Sequence, residues 1–140
     1  NGLDGTRRVI DVSGDGPNNW GNLVTRARDR ALARNITING LPILDLSAGP
    51  FSRYNIPNLD LYFRDCVIGG PASFIVVADG FASFADAIRR KLILEIAGLT
   101  PAAPPPQRGL LPAQIDDGDA RISPPCDIGE QLLRSRNEDF

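Results

Sequence analysis

The chain has 140 residues, a formal net charge of −2, and ordinary apolar and charged fractions of 42% and 23%. This composition is typical of one globular domain with a tail, and the slight negative charge gives no attraction to nucleic acid. The sequence contains no histidine, which excludes Ser-His-Asp and Cys-His catalysis and zinc sites that need imidazole. Its apolar runs are too short to span a bilayer.

The first apolar run, residues 9–12 (VIDV), has the pattern of a buried parallel strand. A turn rich in Gly, Pro, Asn and Asp follows it, and then a helix is expected over residues 21–34. Because ligands bind at the carboxyl ends of parallel strands, we expect Asp11, Ser13 and Asp15 at or just beyond the end of this strand. Their oxygen atoms suit a hard cation such as Mg²⁺. Alternatively, Asp15 only shapes the turn.

Two more strands are predicted, at residues 36–42 and 73–78. A loop over residues 45–58 and a short helix over 59–67 separate them, and a further helix extends to residue 97. That last helix is apolar on several sides and should be well covered, whereas the arginines of the first helix predict a solvated face. Alternating strands and helices predict an α/β fold, with three parallel strands in sequence order that form part of a doubly wound sheet.

The character of the chain changes at residue 99. Seven of the twelve prolines lie between Pro101 and Pro125, which predicts an extended Pro-rich tail, partly polyproline II, with one or two helical turns over 128–136. The predicted organisation is therefore a domain over 1–98 and a tail over 99–140. The two cysteines, Cys66 and Cys126, are too few for a structural zinc site; they either pair as a disulfide or remain separate buried thiols. Because methionine is absent, we expect a processed product or a stretch of a longer protein.

Several segments resemble a family of exported bacterial proteins of unknown function with a von Willebrand factor type A-like domain. They are residues 5–19 (GTRRVIDVSGDGPNN), 35–43 (NITINGLPI), 62–71 (YFRDCVIGGP) and 84–92 (FADAIRRKL), with a weaker match at 126–130 (CDIGE). The resemblance covers about residues 5–98 and implies the second, C-terminal half of such a domain, with a Rossmann-like doubly wound sheet. It also implies a periplasmic or otherwise exported protein. Since that compartment is oxidising, we expect a disulfide between Cys66 and Cys126.

In that family, the carboxyl edge of the sheet can carry a metal-ion-dependent adhesion site. The site combines an Asp-x-Ser-x-Ser loop, a Thr from a middle loop and an Asp after the fourth strand. The resemblance implies that Asp15 is that last ligand, with Ser13 and Asp11 beside it. The implied ion is Mg²⁺, with Ca²⁺ or Mn²⁺ as alternatives. The other two ligand loops would lie upstream of Asn1, so the expected site is incomplete on this chain.

We therefore expect a non-catalytic protein-binding module whose partner is most simply the missing N-terminal half of the same domain. A carboxylate from a bound protein would complete the coordination of the ion. The loop aromatics Trp20, Phe51 and Tyr54 are candidate contacts, and Asp79 is a second carboxylate at the same sheet edge, most simply in a helix-entry turn. One alternative is a structural accessory subunit of a larger envelope complex with a vestigial metal site. Another is a metal-dependent phosphohydrolase using Asp11 and Asp15, although no P-loop or nearby lysine supports it.

Overall fold

A computed structural model describes residues 7–44, 56–97 and 121–137 of the chain. Its regular elements are β1 (Val9–Gly14), α1 (Val24–Leu32), β2 (Thr37–Leu44), α2 (Leu59–Tyr62), β3 (Ala78–Asp79), α3 (Phe84–Ile96) and α4 (Ile128–Asn137). A π-helical segment, Phe63–Val67, continues α2, and a 3₁₀ turn, Phe81–Ser83, precedes α3. None of these described helices has the length and apolar character needed to cross a membrane.

The three strands form one parallel sheet in the order β1-β2-β3, which confirms the predicted α/β class and strand order. Between β2 and β3 the ladder is short: Ile43 and Leu44 pair with Ala78 and Asp79, and one separate bridge joins Gly40 to Ile75. Of the strand predicted over 73–78, only Ala78 belongs to the ladder with β2, and Ile75 forms the separate bridge. The reason is Pro42, which has no N–H to donate at the register position between the bridge and β3.

Strand β2 is buried on both faces and separates two apolar clusters. The cluster under α3 comprises Leu41, Ile43, Phe74, Val76, Ala78 and Ala87. The cluster on the opposite face, the Tyr62 cluster, comprises Ile56, Leu59, Tyr62, Phe63, Cys66 and Val67. Gly40 allows the second cluster to approach, because a Cβ there would lie 2.8 Å from the Phe63 ring and 2.9 Å from Ile68.

Two sequence predictions about burial are wrong for the described residues. Strand β1 is mostly exposed, with Val9 at 37% and Ile10 at 43% of their full accessibility. Helix α3 leaves Leu92, Ile93 and Ile96 exposed. For β1 the reason is its place at the edge of the described sheet, where no strand among the described residues pairs with its outer side.

A polar network joins α3 to the sheet. The Lys91 ammonium is almost completely buried, contacts the Asp11 carboxylate on β1, and donates to Glu95 Oε1 at 2.8 Å. The fully buried Asn39 amide also donates to Glu95 Oε1, at 2.8 Å, and its Oδ1 accepts the Phe74 N–H at 3.2 Å. The network therefore connects β1, β2 and α3 through the same side of the sheet.

Helix α1 has no buried residue, and its arginines are mainly solvated, as predicted. Arg26 and Arg30 of α1 are exposed, as is Arg34 just beyond its end. Arg28 differs, because its guanidinium donates to the backbone carbonyl oxygens of Asp65 and Cys66 at 2.9 and 3.3 Å. This side chain attaches α1 to the carboxyl end of the π-helical segment.

Acidification should weaken the contact between α3 and the sheet. Burial alone raises the pKa of Glu95, but the hydrogen bonds that its carboxylate accepts from Lys91 and Asn39, together with the Lys91 charge, outweigh burial and hold the pKa below its usual 4.5. A carboxyl with a lowered folded-state pKa stabilises the fold above its unfolded pKa, and this stability is lost as the pH falls through the folded value. We expect the free energy of unfolding to fall less steeply below about pH 5 in Glu95→Gln than in the native chain.

The measurement is urea unfolding followed by circular dichroism over that pH range. Asp86→Asn, which changes an exposed carboxylate on the same helix, is the matched control and should keep the native slope. Identical slopes for Glu95→Gln and the native chain would contradict the assignment.

Candidate functional site

The structure places two of the three residues predicted as metal ligands inside β1 and the third just beyond its end. Asp11 and Ser13 lie within β1, opposite Asn39 and Leu41, and only Asp15 follows the end of the strand. The prediction that all three lie at or beyond the carboxyl end is therefore wrong for Asp11, which sits at the third position of a six-residue strand. The prediction put Asp11 too near the end of the strand, because the strand extends two residues beyond the apolar run and ends at Gly14.

The donor set fits a cation only in part. The Asp11 carboxylate already contacts the Lys91 ammonium, whose charge would repel a cation at that position. Ser13 and Asp15 are exposed and can supply two oxygen ligands of the type that Mg²⁺ prefers. Across residues 7–44, 56–97 and 121–137, no group of three acidic, histidine or cysteine side chains is positioned to hold a metal ion. An octahedral ion at Asp15 would need ligands from elsewhere.

The outer edge of β1 presents a regular row of backbone groups. Thr37 donates its N–H to the Arg8 carbonyl at 2.9 Å, so Arg8, Ile10 and Val12 direct their backbone groups toward β2. The alternate residues, Val9, Asp11 and Ser13, direct theirs away from β2. No strand in the described part of the chain pairs with this edge. It therefore has the geometry of a template for one more strand.

The loop between β1 and α1 is organised by Asn18. Its backbone N–H donates to the Tyr62 hydroxyl at 3.1 Å. Its side-chain amide donates to the Asn22 carbonyl at 3.1 Å and to Glu130 Oε1, in the tail, at 2.6 Å. Asn18 thus joins the segment that follows Asp15 to both the Tyr62 cluster and helix α4.

Tyr62 is buried at the base of this loop. Burial raises the pKa of its hydroxyl above the usual 10.0, the Asn18 N–H opposes that effect, and the nearby Glu130 carboxylate raises the pKa further. The hydroxyl therefore remains protonated at neutral pH and can accept the Asn18 N–H. The contact is polar and structural, with no feature of an acid or base prepared for catalysis at neutral pH.

The tail packs along α2 and the π-helical segment. Arg121 donates to Asn58 Oδ1 at 3.0 Å and to Asp60 Oδ1 at 2.5 Å. Cys126 forms a disulfide with Cys66, with 5.4 Å between their Cα atoms, which confirms the predicted pairing. The ordered tail helix, α4, is longer than the one or two turns expected from the sequence. The Pro-rich stretch 101–120 lies outside the described residues.

Beyond the disulfide, α4 makes a tight contact with the β1–α1 loop. A Cβ added to Gly129 would lie 1.8 Å from the Asn18 carbonyl oxygen, so only glycine fits. Ile128 packs against the Tyr62 cluster. Of the two oxygens of Glu130, Oε1 accepts from Asn18, whereas Oε2 is buried and has no hydrogen-bond partner among the described atoms.

Asn18, Tyr62 and Glu130 were not among the site residues predicted from the sequence. The resemblance at residues 126–130 was the one signal that pointed to the tail contact. Trp20 is exposed at 88%, which places it among solvent-accessible side chains of the same loop. Phe51 and Tyr54 lie outside the described residues. Asp79 is exposed in β3 and precedes the Gly80 turn, as a helix-entry position.

Comparison with protein families gives one match. The model of a family described as "Protein of unknown function (DUF1194)" matches residues 1–100. Comparisons with curated proteins and with solved structures give no match. The family match covers all of the sheet and α3, and it ends before the segment that forms α4.

Replacing Gly129 with alanine should detach α4 from the loop. The new methyl group would overlap the Asn18 backbone, which has little room to move because Tyr62 holds its N–H. We expect a loss of about 1–3 kcal/mol if the contact adjusts, or local release of α4 if it does not. Hydrogen exchange of the α4 and Asn18 amides should accelerate, while β2 stays protected.

Ser135→Ala, at an exposed position of the same helix, serves as the control and should leave these amides unchanged. Native-like exchange of Asn18 in Gly129→Ala would show that the close approach is not a constraint.

Proposed function

The chain belongs to the DUF1194 family of proteins of unknown function, and we propose, from the geometry of its sheet, that it is a non-catalytic protein-binding module. The observation that carries the proposal is the outer edge of β1, a row of outward backbone groups on a strand with exposed apolar side chains. A strand of this kind binds an extended segment of another polypeptide by adding it to the sheet.

Helix α3 also exposes apolar surface. Helix α3 exposes Leu92, Ile93 and Ile96 near its carboxyl end, and its buried Lys91 reaches Asp11 on β1. Grouped apolar surface on both a strand and the helix above it is typical of an interface. A partner that adds a strand beside β1 and covers this part of α3 would bury both.

The partner in this proposal is most simply the first half of a von Willebrand A-like domain in an exported, periplasmic protein. The disulfide agrees with an oxidising compartment. A Mg²⁺ ion at Asp15 and Ser13 is a further part of the proposal, because a strand added beside β1 brings its own loops to the carboxyl edge that holds them. Asp11 is paired with the Lys91 ammonium, so this proposal does not include it among the ligands of the ion.

Val9→Pro tests the edge. Proline removes one outward N–H without removing a hydrogen bond to β2, and its ring obstructs an incoming strand. The chain is purified with its copurifying polypeptides, which are identified by intact mass and N-terminal sequence. We expect Val9→Pro to weaken the complex about tenfold and Val9→Ala to leave it within about twofold.

Hydrogen exchange supplies a second measurement on the same complex. The amides of Val9, Asp11 and Ser13 should exchange rapidly in the isolated chain and slowly in the complex. A stable monomer in sedimentation, with no bound polypeptide and no difference between the two variants, would contradict the proposal.

Asp15→Ala tests the metal. The chain by itself should bind Mg²⁺ weakly or not at all in calorimetric titration, because two oxygen ligands cannot complete an octahedral shell. The complete complex should bind it, and Asp15→Ala should abolish binding with a stability cost below about 1 kcal/mol, since the side chain is exposed. Equal binding by both proteins would remove Asp15 from the site. Binding by neither would favour a structural subunit.

A further inference from the structure

The tail of the chain is seated on a surface of its own body. That surface consists of Asn18 in the β1–α1 loop and Tyr62 with its cluster, and we call it the Asn18 surface. The tail reaches it with three consecutive residues, Ile128, Gly129 and Glu130, here called the Ile-Gly-Glu step. Each residue of the step meets a different chemical feature of the surface.

The Asn18 surface makes a different contact with each of these three residues. Its apolar part packs with Ile128. Its backbone part leaves no room for a Cβ at Gly129. Its polar part, the Asn18 amide, donates to the Glu130 carboxylate at 2.6 Å. A helix that presents an apolar residue, a glycine and an acidic residue in succession satisfies all three.

The tail is nevertheless an imperfect occupant. Glu130 Oε2 is buried without a partner in the described part of the chain, which opposes docking. Gln131, Leu132, Arg134 and Ser135 of α4 are exposed, so much of the helix gains little from docking. The covalent tether is adjacent, because Cys126 lies two residues before Ile128 and bonds to Cys66 in the Tyr62 cluster.

We propose that the Asn18 surface binds an apolar-Gly-acidic step in a helix of a protein partner, and that the chain's own tail occupies it while the Cys66–Cys126 disulfide is closed. The inference rests on the proposed function, but it uses a surface separate from the outer edge of β1. The chemistry of the present occupant identifies the partner: a helix with the same apolar-Gly-acidic step, whose own carboxylate has hydrogen-bond donors at both oxygens, would displace the tail.

A dithiol reductant cleaves the disulfide that tethers the tail. The attacking thiolate bonds to one cysteine sulfur and the Cys66–Cys126 bond breaks; the second thiol of the reductant then releases the mixed disulfide. Two electrons and two protons pass to the chain, which gains two thiols, and the reductant becomes a disulfide. The tail is then held only by its non-covalent contacts, and a competing helix can take its place.

The test uses the full chain with Cys126→Ser and Gly129→Ala together. The first substitution removes the tether, and the second prevents the chain's own tail from packing on the Asn18 surface. The probe is a fluorescent peptide of residues 121–137 carrying Cys126→Ser, followed by anisotropy. We expect saturable binding to the double variant and about thirtyfold weaker binding to the oxidised native chain, whose surface is occupied. Peptides with Glu130→Gln and with Gly129→Ala should each bind at least about tenfold more weakly than the native peptide.

A native-like level of β2 amide protection shows that the double variant is folded. A folded double variant that does not bind the peptide, or binds all three peptides equally, overturns the proposal. Adding Val9→Pro should leave peptide binding unchanged, since the β1 edge is elsewhere. Failure of peptide binding while Val9→Pro still weakens the protein complex would therefore overturn this inference and leave the proposed function intact.

The native chain gives an independent measurement that does not depend on a variant. Treatment with dithiothreitol should accelerate hydrogen exchange in α4 and at Asn18 at least about tenfold more than it accelerates exchange in β2. Equal exchange in the oxidised and reduced chains would show that the disulfide does not control whether the tail occupies the Asn18 surface.

Discussion

Burial of β2 on both faces is the constraint on which the other contacts depend. Its even-numbered side meets the Tyr62 cluster, where Gly40 lies against Phe63 with no space for a side chain. Its odd-numbered side meets α3, where the buried amide of Asn39 needs two partners and finds them in Glu95 and the Phe74 N–H. A change at either residue would leave a clash or a buried polar group without its partner, each costing about 1–3 kcal/mol.

Strand β1 is attached less firmly than β2. It has the ladder to β2, the packing of Val12 against the Tyr62 cluster, and the contact of Asp11 with Lys91. Asp11 is 43% exposed, so solvent screens much of that ion pair and its contribution is modest. For Lys91 the contact matters more, because the ammonium is almost completely buried and must be paired. The ion pair therefore matters mainly because it gives the buried Lys91 ammonium of α3 a partner, and it adds little to the attachment of β1.

Much of the fold was predictable because local patterns agree with the packing. Residues 36–42 were predicted as a strand because the run is β-branched and alternating at its start, and residues 37–44 form the buried central strand. The short helix over 59–67 was predicted from its apolar spacing, and its residues form α2 and the π-helical segment. The weak pairing of β3 depends on Pro42, a residue of a different strand, so the sequence near residues 73–78 gave no local sign of it.

The site was harder to predict than the fold. The acidic cluster suggested one location for Asp11, Ser13 and Asp15, but Asp11 lies inside the strand and contacts Lys91, which is 80 residues away in the sequence. The exposed faces of β1 and α3 could not be inferred from their apolar sequences, because an apolar strand has the same pattern whether its cover is in this chain or in a partner. Asn18 and Glu130 are separated by 112 residues, and only the folded tail brings them together.

The energetics of the tail explain why a disulfide is placed where it is. Closing a loop with a sequence separation of 60 stabilises the folded chain by roughly 4 kcal/mol in the chain-entropy model. The buried, unpartnered oxygen of Glu130 opposes docking by about 1–3 kcal/mol. The tether therefore outweighs the cost of an occupant that the surface satisfies only in part. A partner carboxylate with hydrogen-bond donors at both oxygens would avoid this cost and would bind without a tether. The tail can therefore occupy the surface while the disulfide is closed, and such a partner can replace it once the disulfide is reduced.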